Sequence, residues 1–283
     1  MKLYNTTKGI LLEVENKYYL LDESNWDALV TQESLSLVLT QKVSNSKQIS
    51  DIEAENIIST NLLPPIGSQN VWAAGVTYYR SRKARMEESA DAGGADFYDK
   101  VYEADRPELF FKASADQVVG HGGIVNIRRD SSWDVPEPEL TALLSPTGKI
   151  NGYTIGNDMS SRSIEGENPL YLPQAKMYDK SAAIGPCLLV QHTHLPENTE
   201  IRLEISREGS LQFSDKTTLQ QMKRTVSEIA SWLFRENSFS KGCYLMTGTG
   251  IVPDNFTLAK GDIIRISIEG IGTLENKVSK RDN

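Results

Sequence analysis

From residue 124 to residue 270 the chain is a succession of short apolar runs: IVNIR, ELTALL, KINGYTIG, PCLLV, EIRLEIS, CYLMTG and DIIRISIEG. Each has the length of a strand, and several alternate apolar with polar residues, the mark of a half-buried strand. A Ser-Pro-Thr-Gly turn joins two of them, and one clear amphipathic helix, VSEIASWLF, interrupts the series. Parallel βαβ winding needs a helical crossover between successive strands. The pattern therefore predicts an α+β, sheet-dominated fold built from hairpins. Ahead of it, GILLEV and KYYLLD read as strands around a Glu15-Asn16 turn, followed by a short helix near SNWDALV. SNSKQISDIEAEN is polar and linker-like, with helical character in IEAENII. The Pro-Pro pair of LLPPIG breaks regular structure. We place a boundary there, between a small β-rich N-terminal domain, residues 1–65, and a larger domain, residues 66–283. The larger one opens with the strand VWAAGV, a charged helical stretch, YYRSRKARMEES, and the strand ELFFKAS.

Charge and composition exclude several classes of function. A net charge of −8 on 283 residues argues against a nucleic-acid surface, where Lys and Arg must neutralise phosphates. No apolar run approaches the ~18 residues of a membrane span, and the N-terminus lacks the apolar core of a secretory signal. Cys187 and Cys243 sit in apolar runs, as small core residues of a protein in a reducing compartment. These features predict a cytoplasmic protein without nucleic-acid or membrane partners.

The stretch WDVPEPELTALL places Glu137 and Glu139 just ahead of an interior strand. Two residues apart in an extended chain, they point the same way, roughly 7 Å from one another. Like charges on one half-buried face repel and resist leaving water. Pro136 and Pro138 leave the same side of the strand without donors, which predicts an edge or mouth position. The returning strand ends in Asn157-Asp158, a third carboxylate. A solvated edge is the bland account of the two glutamates. Three carboxylates converging from adjacent strands instead suit a hard divalent cation, which takes oxygen ligands and offsets their repulsion.

The order of motifs is specific. E-x-E is followed by a glycine-containing strand with Asn-Asp, then by Lys before Y-D-x-S-x-x-I-G-P, then by L-x-T-G-T-G and K-G-D-x-I-x-I-x-I-E-G-I-G-T-L-x-N. Over roughly residues 66 to 280 this resembles the fumarylacetoacetate hydrolase family. The resemblance implies that family's mixed β-sandwich or roll in the C-terminal domain. It also implies Glu137, Glu139 and Asp158 as ligands of Mg²⁺, with Mn²⁺ or Ca²⁺ as substitutes, and a homodimer or homotetramer. Hydrolases of the family usually carry G-x-N-Y-x-x-H, whose His activates water. Here the stretch runs Gly75-Val76-Thr77-Tyr78-Tyr79-Arg80-Ser81-Arg82, with Ser81 where the His should be. His121, His192 and His194 lie elsewhere, and the last two precede a Leu-Pro turn as an exposed pair.

T-Y-x-R-S-R-x-A-R-M-E-E-S, R-P-E-L-F-F-K and N-D-M-S-S-R-S-I-E-G-E-N-P-L-Y-L-P-Q-A-K resemble one branch of the family, the 2-keto-3-deoxy-sugar-acid dehydratases. That branch acts on 2-keto-3-deoxyarabinonate, yields 2-oxoglutarate semialdehyde, and has a small extra N-terminal domain. By this resemblance Glu108 and Lys176 transfer protons, in roles left open between acid and base. On chemical grounds Arg82 is expected to pair with the substrate carboxylate, Ser81 to hydrogen-bond it, Lys176 to adjoin the substrate and Thr249 to reach a substrate oxygen. The chemistry asks for such a set. A cation chelating a 2-keto acid acidifies the C3 protons, one base removes such a proton, and one acid protonates the departing C4 hydroxyl. The expectation is a Mg²⁺-dependent lyase acting on a small keto acid. The alternatives are an acylpyruvate or diketo-acid hydrolase, which the missing His disfavours, and a binding protein without turnover.

Overall fold

The computed structural model describes residues 1–80 and 100–281. The strand expected from Leu140 begins earlier: Asp134–Leu144 is one eleven-residue strand, buried throughout. It turns through Ser145 to Lys149, where Gly148 takes φ +84 and donates its N–H to the Ser145 carbonyl. The chain returns as the twelve-residue strand Ile150–Ser161, antiparallel from Leu144 opposite Ile150 to Asp134 opposite Ser161.

These two strands lie in the middle of the larger of two sheets. On one side Ile150–Ser161 pairs with Ala182–Leu189, then come Lys2–Thr6, Gly9–Val14, Lys17–Leu20 and Lys47–Ile49. On the other side Asp134–Leu144 pairs with Cys243–Met246, followed by Asn70–Gly75 and Glu108–Ala113. The smaller sheet runs Ser210–Thr218, Glu200–Arg207, Ile263–Ile268, Gly272–Lys280, Ile124–Ile127. Mixed sheets, hairpins and short helices make the fold α+β and sheet-dominated, as the apolar runs predict. The Glu15-Asn16 turn has φ +49 and +60, the mirror-image geometry that suits the twist of a two-residue hairpin. Residues 1–65 extend the large sheet through the pairing of Lys2 and Leu3 with Leu189 and Leu188.

Alternation gives the long strand two faces with different duties. Leu140, Ala142 and Leu144 pack in the core between the sheets, with Ile201, Leu203, Ile264 and Ile266. Each buried aliphatic side chain of this kind contributes roughly 1.5–3 kcal/mol. Leu143 faces the opposite way, into a second core with Ala73, Tyr244, Met246 and the residues Trp26, Leu29 and Leu39 of two short helices. Glu137, Glu139 and Thr141 share the parity of Leu143 and stand on that face. One strand therefore carries apolar anchorage at one end and carboxylates at the other.

The prolines mark where pairing lapses. The carbonyls of Asp134 and Leu140 accept from the N–H groups of Leu258 and Thr247 on one side of the strand. Pro136 and Pro138, of the same parity, turn their donor-less nitrogens to that side, where Cys243–Met246 has already ended opposite Thr141. Both prolines are buried in the interior of the sheet, not at its edge, and the gap lies beside the strand end that carries Glu137 and Glu139.

Candidate metal and active site

Register brings the third carboxylate into place. Asp158 stands directly opposite Glu137, and Gly156 stands opposite Glu139. The ligand atoms of Glu137, Glu139 and Asp158 lie within 4.8 Å of one another, and all three residues are buried. The two strands thus deliver the cluster that the E-x-E spacing predicts.

Around it lie three cations. Lys176 ends the short helix Leu172–Lys176 and is only 1% exposed. Its Nζ donates to Glu137 Oε2 at 2.7 Å, Asp158 Oδ2 at 3.2 Å and Ser160 Oγ at 2.6 Å. Arg162 opens the helix Arg162–Glu167 and donates to Glu137 Oε1 at 2.7 Å. Lys112, on Glu108–Ala113, pairs with Asp158 Oδ1 at 2.5 Å and donates to the carbonyls of Met159 and Lys176. Burial pushes the Lys112 ammonium pKa down, against the pull of Asp158. Glu165, one turn after Arg162, lies 3.9 Å from both Arg162 and Lys176.

Glu139 has the most adverse position. Burial, then the charges of Asp158 and Glu137, hold its carboxyl well above the ordinary carboxylate range. Lys176 and the Gly248 N–H, which donates to Oε2 at 2.7 Å, oppose that rise. A buried carboxylate beside two others is a group that a divalent cation stabilises. The donors are all carboxylate oxygens, hard ligands that suit Mg²⁺ rather than a softer ion. The residues fit the metal.

Two glycines let the backbone close in. Gly248 has φ +90, and a Cβ there would lie 1.9 Å from Thr77 Oγ1. Gly75 lines the cavity, and the carboxylate of Glu108, its partner across the strand pair, fills the space a Cβ would take. Val76, next along, holds φ +53 in the cavity wall, a rare and strained setting for a β-branched residue. Gly248→Ala is expected to cost about 2–4 kcal/mol, from left-handed backbone strain plus the Thr77 contact. A thermal melt within 1–2 °C of wild type, about the shift of 1 kcal/mol or less, would show that the turn relaxes instead.

Other candidates are placed more loosely. Thr249 lines the cavity, but its hydroxyl serves its own turn, donating to the Ile251 carbonyl and accepting the Ile251 N–H, both at 3.1 Å. Ser81 and Arg82 lie outside the described residues. His192 and His194 are exposed as expected, meeting Ser36 and Tyr153, and no histidine is among the described residues that line this cavity. Lys112, Arg162 and Glu165 fall inside the motifs R-P-E-L-F-F-K and N-D-M-S-S-R-S-I-E-G, but the sequence reading assigns none of them a role. Alternation offers a signal for Lys112, which shares the strand parity of Glu108 and Phe110.

The arrangement has known counterparts. A family profile, Fumarylacetoacetate (FAA) hydrolase C-terminal, matches residues 71–279. The chain is 46% identical over 231 residues to a probable 2-keto-3-deoxyxylonate dehydratase of Haloferax volcanii, covering 81% of this chain and 78% of that one. It is 40% identical over 264 residues to the 2-dehydro-3-deoxy-D-arabinonate dehydratase of Saccharolobus solfataricus, covering 92% and 89%. Among solved structures it is similar to a 2-keto-3-deoxy-D-arabinonate dehydratase complexed with magnesium and 2,5-dioxopentanoate. That match has TM-score 0.85 and 34% identity over the whole of both chains.

Proposed function

The chain belongs to the fumarylacetoacetate hydrolase family, and on that premise we propose that it is a Mg²⁺-dependent dehydratase of a 2-keto-3-deoxy pentonate, yielding 2,5-dioxopentanoate. The observation that carries this reading is the make-up of the cavity: three carboxylates and a buried lysine, with no histidine among the described residues that line it. A lyase needs a metal platform and a proton donor, and both sets of residues are here.

Glu137, Glu139 and Asp158 would hold the cation, whose Lewis acidity lowers the pKa of the C3 protons of a chelated 2-keto acid. The Lys176 ammonium directs its protons to Glu137, Asp158 and Ser160, so it enters the reaction as a donor, toward the departing C4 hydroxyl. Glu108, an acceptor when ionised, takes the C3 proton from beside Gly75. Loss of the C4 hydroxyl as water leaves a C3=C4 alkene. This loses a C5 proton, regains one at C3 and tautomerises from the C4=C5 enol to the C5 aldehyde of 2,5-dioxopentanoate. Lys112 holds Asp158, and Arg162, at the cavity wall, holds Glu137. Ser81 and Arg82 are assigned to the substrate carboxylate, and Thr249 to a substrate oxygen, on chemical grounds. Residues 66–283 are the catalytic unit and residues 1–65 its accessory domain. No helix among the described residues is long and apolar enough to cross a membrane, and both cysteines are free and buried. These facts support a cytoplasmic setting, with a homodimer or homotetramer proposed on family grounds.

Product mass tests the reaction class. Incubation with Mg²⁺ and 2-keto-3-deoxy pentonates is expected to give a product 18 mass units lighter, with deuterium from D₂O appearing at C3. Cleavage into two acids carrying ¹⁸O from labelled water would instead establish a hydrolase.

A further inference from the structure

Each carboxylate of the cluster has an oxygen already held by the chain. Glu139 Oε2 accepts the Gly248 N–H. Glu137 meets Arg162 on Oε1 and Lys176 on Oε2. Asp158 is held from two directions: Lys176 Nζ stands 3.2 Å from Oδ2, and Lys112 Nζ stands 2.5 Å from Oδ1. Lys176 lines the cavity with Asp158, whereas Lys112 is not among the described residues that line it. Oδ1 is therefore turned to the wall and Oδ2 to the cavity.

Lys112 is fixed behind that wall. Its side chain is buried, and its Nζ donates to the carbonyls of Met159, at 3.0 Å, and Lys176, at 2.5 Å. With Asp158 Oδ1 these make three acceptors for the three protons of an ammonium. Two of the three are backbone atoms, one beside Asp158 on its own strand and one at the C-terminal end of the helix Leu172–Lys176. Turning both Asp158 oxygens to the cavity would leave this buried ammonium without its counter-ion, which low-dielectric surroundings oppose. The restriction matters for the choice of ion. Mg²⁺ demands six oxygens in a tight octahedron, whereas Ca²⁺ takes six to eight and accepts both oxygens of one carboxylate.

We propose that Lys112 is a positioning residue for the cation: it restricts Asp158 to one ligand oxygen and so tunes the site to Mg²⁺ over Ca²⁺. The inference rests on the metal-dependent reading above. It concerns which ion the site holds, not the reaction the ion supports.

Lys112→Met tests it, since methionine fills the space of the stem and frees Oδ1. Dissociation constants for Mg²⁺ and Ca²⁺ are measured by calorimetry on metal-stripped protein, without substrate or turnover. The two ions carry the same charge, so losing a buried cation moves both affinities together. Only their ratio reports the number of oxygens offered. Wild type is expected to bind Mg²⁺ at least about threefold more tightly than Ca²⁺, and Lys112→Met to move that ratio at least about tenfold toward Ca²⁺. Lys112→Arg keeps a cation at Oδ1 and is expected to stay within about threefold of the wild-type ratio. Wild type that binds Ca²⁺ as tightly as Mg²⁺ overturns the proposal even if neither variant folds. A Lys112→Met ratio within about threefold of wild type overturns it, and so does a folded Lys112→Arg that shifts as far as Lys112→Met. A further check needs no variant: the infrared change on adding Mg²⁺ to wild type carrying ¹³C-labelled aspartate carboxylates. The wide splitting of one-oxygen ligation is expected, and the narrow splitting of a chelating carboxylate overturns the proposal. Wild type that binds neither ion overturns the metal reading beneath it, a result distinct from a site that binds both without preference.

Discussion

Glu139→Gln is expected to raise the melting temperature of the metal-free protein, to remove the further rise that Mg²⁺ gives wild type, and to reduce turnover below detection. The three effects share one cause. Glu139 is buried beside two other carboxylates, and its carboxyl resists ionisation. Glutamine keeps the shape and can still accept the Gly248 N–H, but it carries no charge to repel Asp158 and Glu137. Removing a buried like charge relieves the folded state in the absence of metal. With Mg²⁺ at about 100 times its dissociation constant, wild type gains about 2.7 kcal/mol, worth roughly 5 °C for a chain of this size. The variant has lost one anionic oxygen ligand and gains little of this. Melting curves with and without Mg²⁺ check it. A variant that is destabilised without metal, or that keeps its Mg²⁺ shift, would remove Glu139 from the ligand set.

Lys176→Met and Glu108→Gln should each lower kcat by about 10²–10⁴-fold while leaving the binding of a substrate analogue largely intact. Methionine fills the space of the lysine stem without its proton or charge. It also leaves Glu137 and Asp158 without the cation that now sits 2.7 and 3.2 Å away, so Mg²⁺ affinity is expected to hold or rise. Glutamine at 108 keeps the fit against Gly75 but cannot accept a proton. Single-turnover kinetics on Mg²⁺-saturated protein separate chemistry from binding. Near-wild-type turnover in either variant would return that residue to the scaffold.

Much of the carboxylate cluster was legible in the sequence because a strand has a period of two. Spacing alone puts Glu137 and Glu139 on one face, and a hairpin of nearly equal arms puts Asp158 across from them. The strands with apolar alternation were legible for the same reason. Ser210–Thr218 was not, because it is largely exposed and its polar residues resemble a loop until the pairing with Glu200–Arg207 is seen. Lys2–Thr6 gave no warning that it would dock beside a strand more than 180 residues away, since register across such a distance leaves no local mark. The cations were illegible for a different reason. Arg162, Lys112 and Glu165 lie within the quoted motifs, but nothing in their spacing marks them as buried, and only tertiary packing shows that they are. Lys176 was found by its motif, and its burial explains why that motif is kept away from solvent.

The pairing of Leu3 with Leu188 also sets an order of events during synthesis. Ribosomes add roughly 5–20 residues per second, so the first hairpin waits about 10–40 s for its partner strand. Throughout that time Lys2–Thr6 presents an open edge, with Leu3 and Ile10 beside it that end fully buried. An unpaired edge of this kind is a template for a neighbouring chain. Lys2, Lys8 and Lys17 flank the waiting strands, and their charge is placed to hold the nascent hairpin apart from its copies until residue 188 emerges.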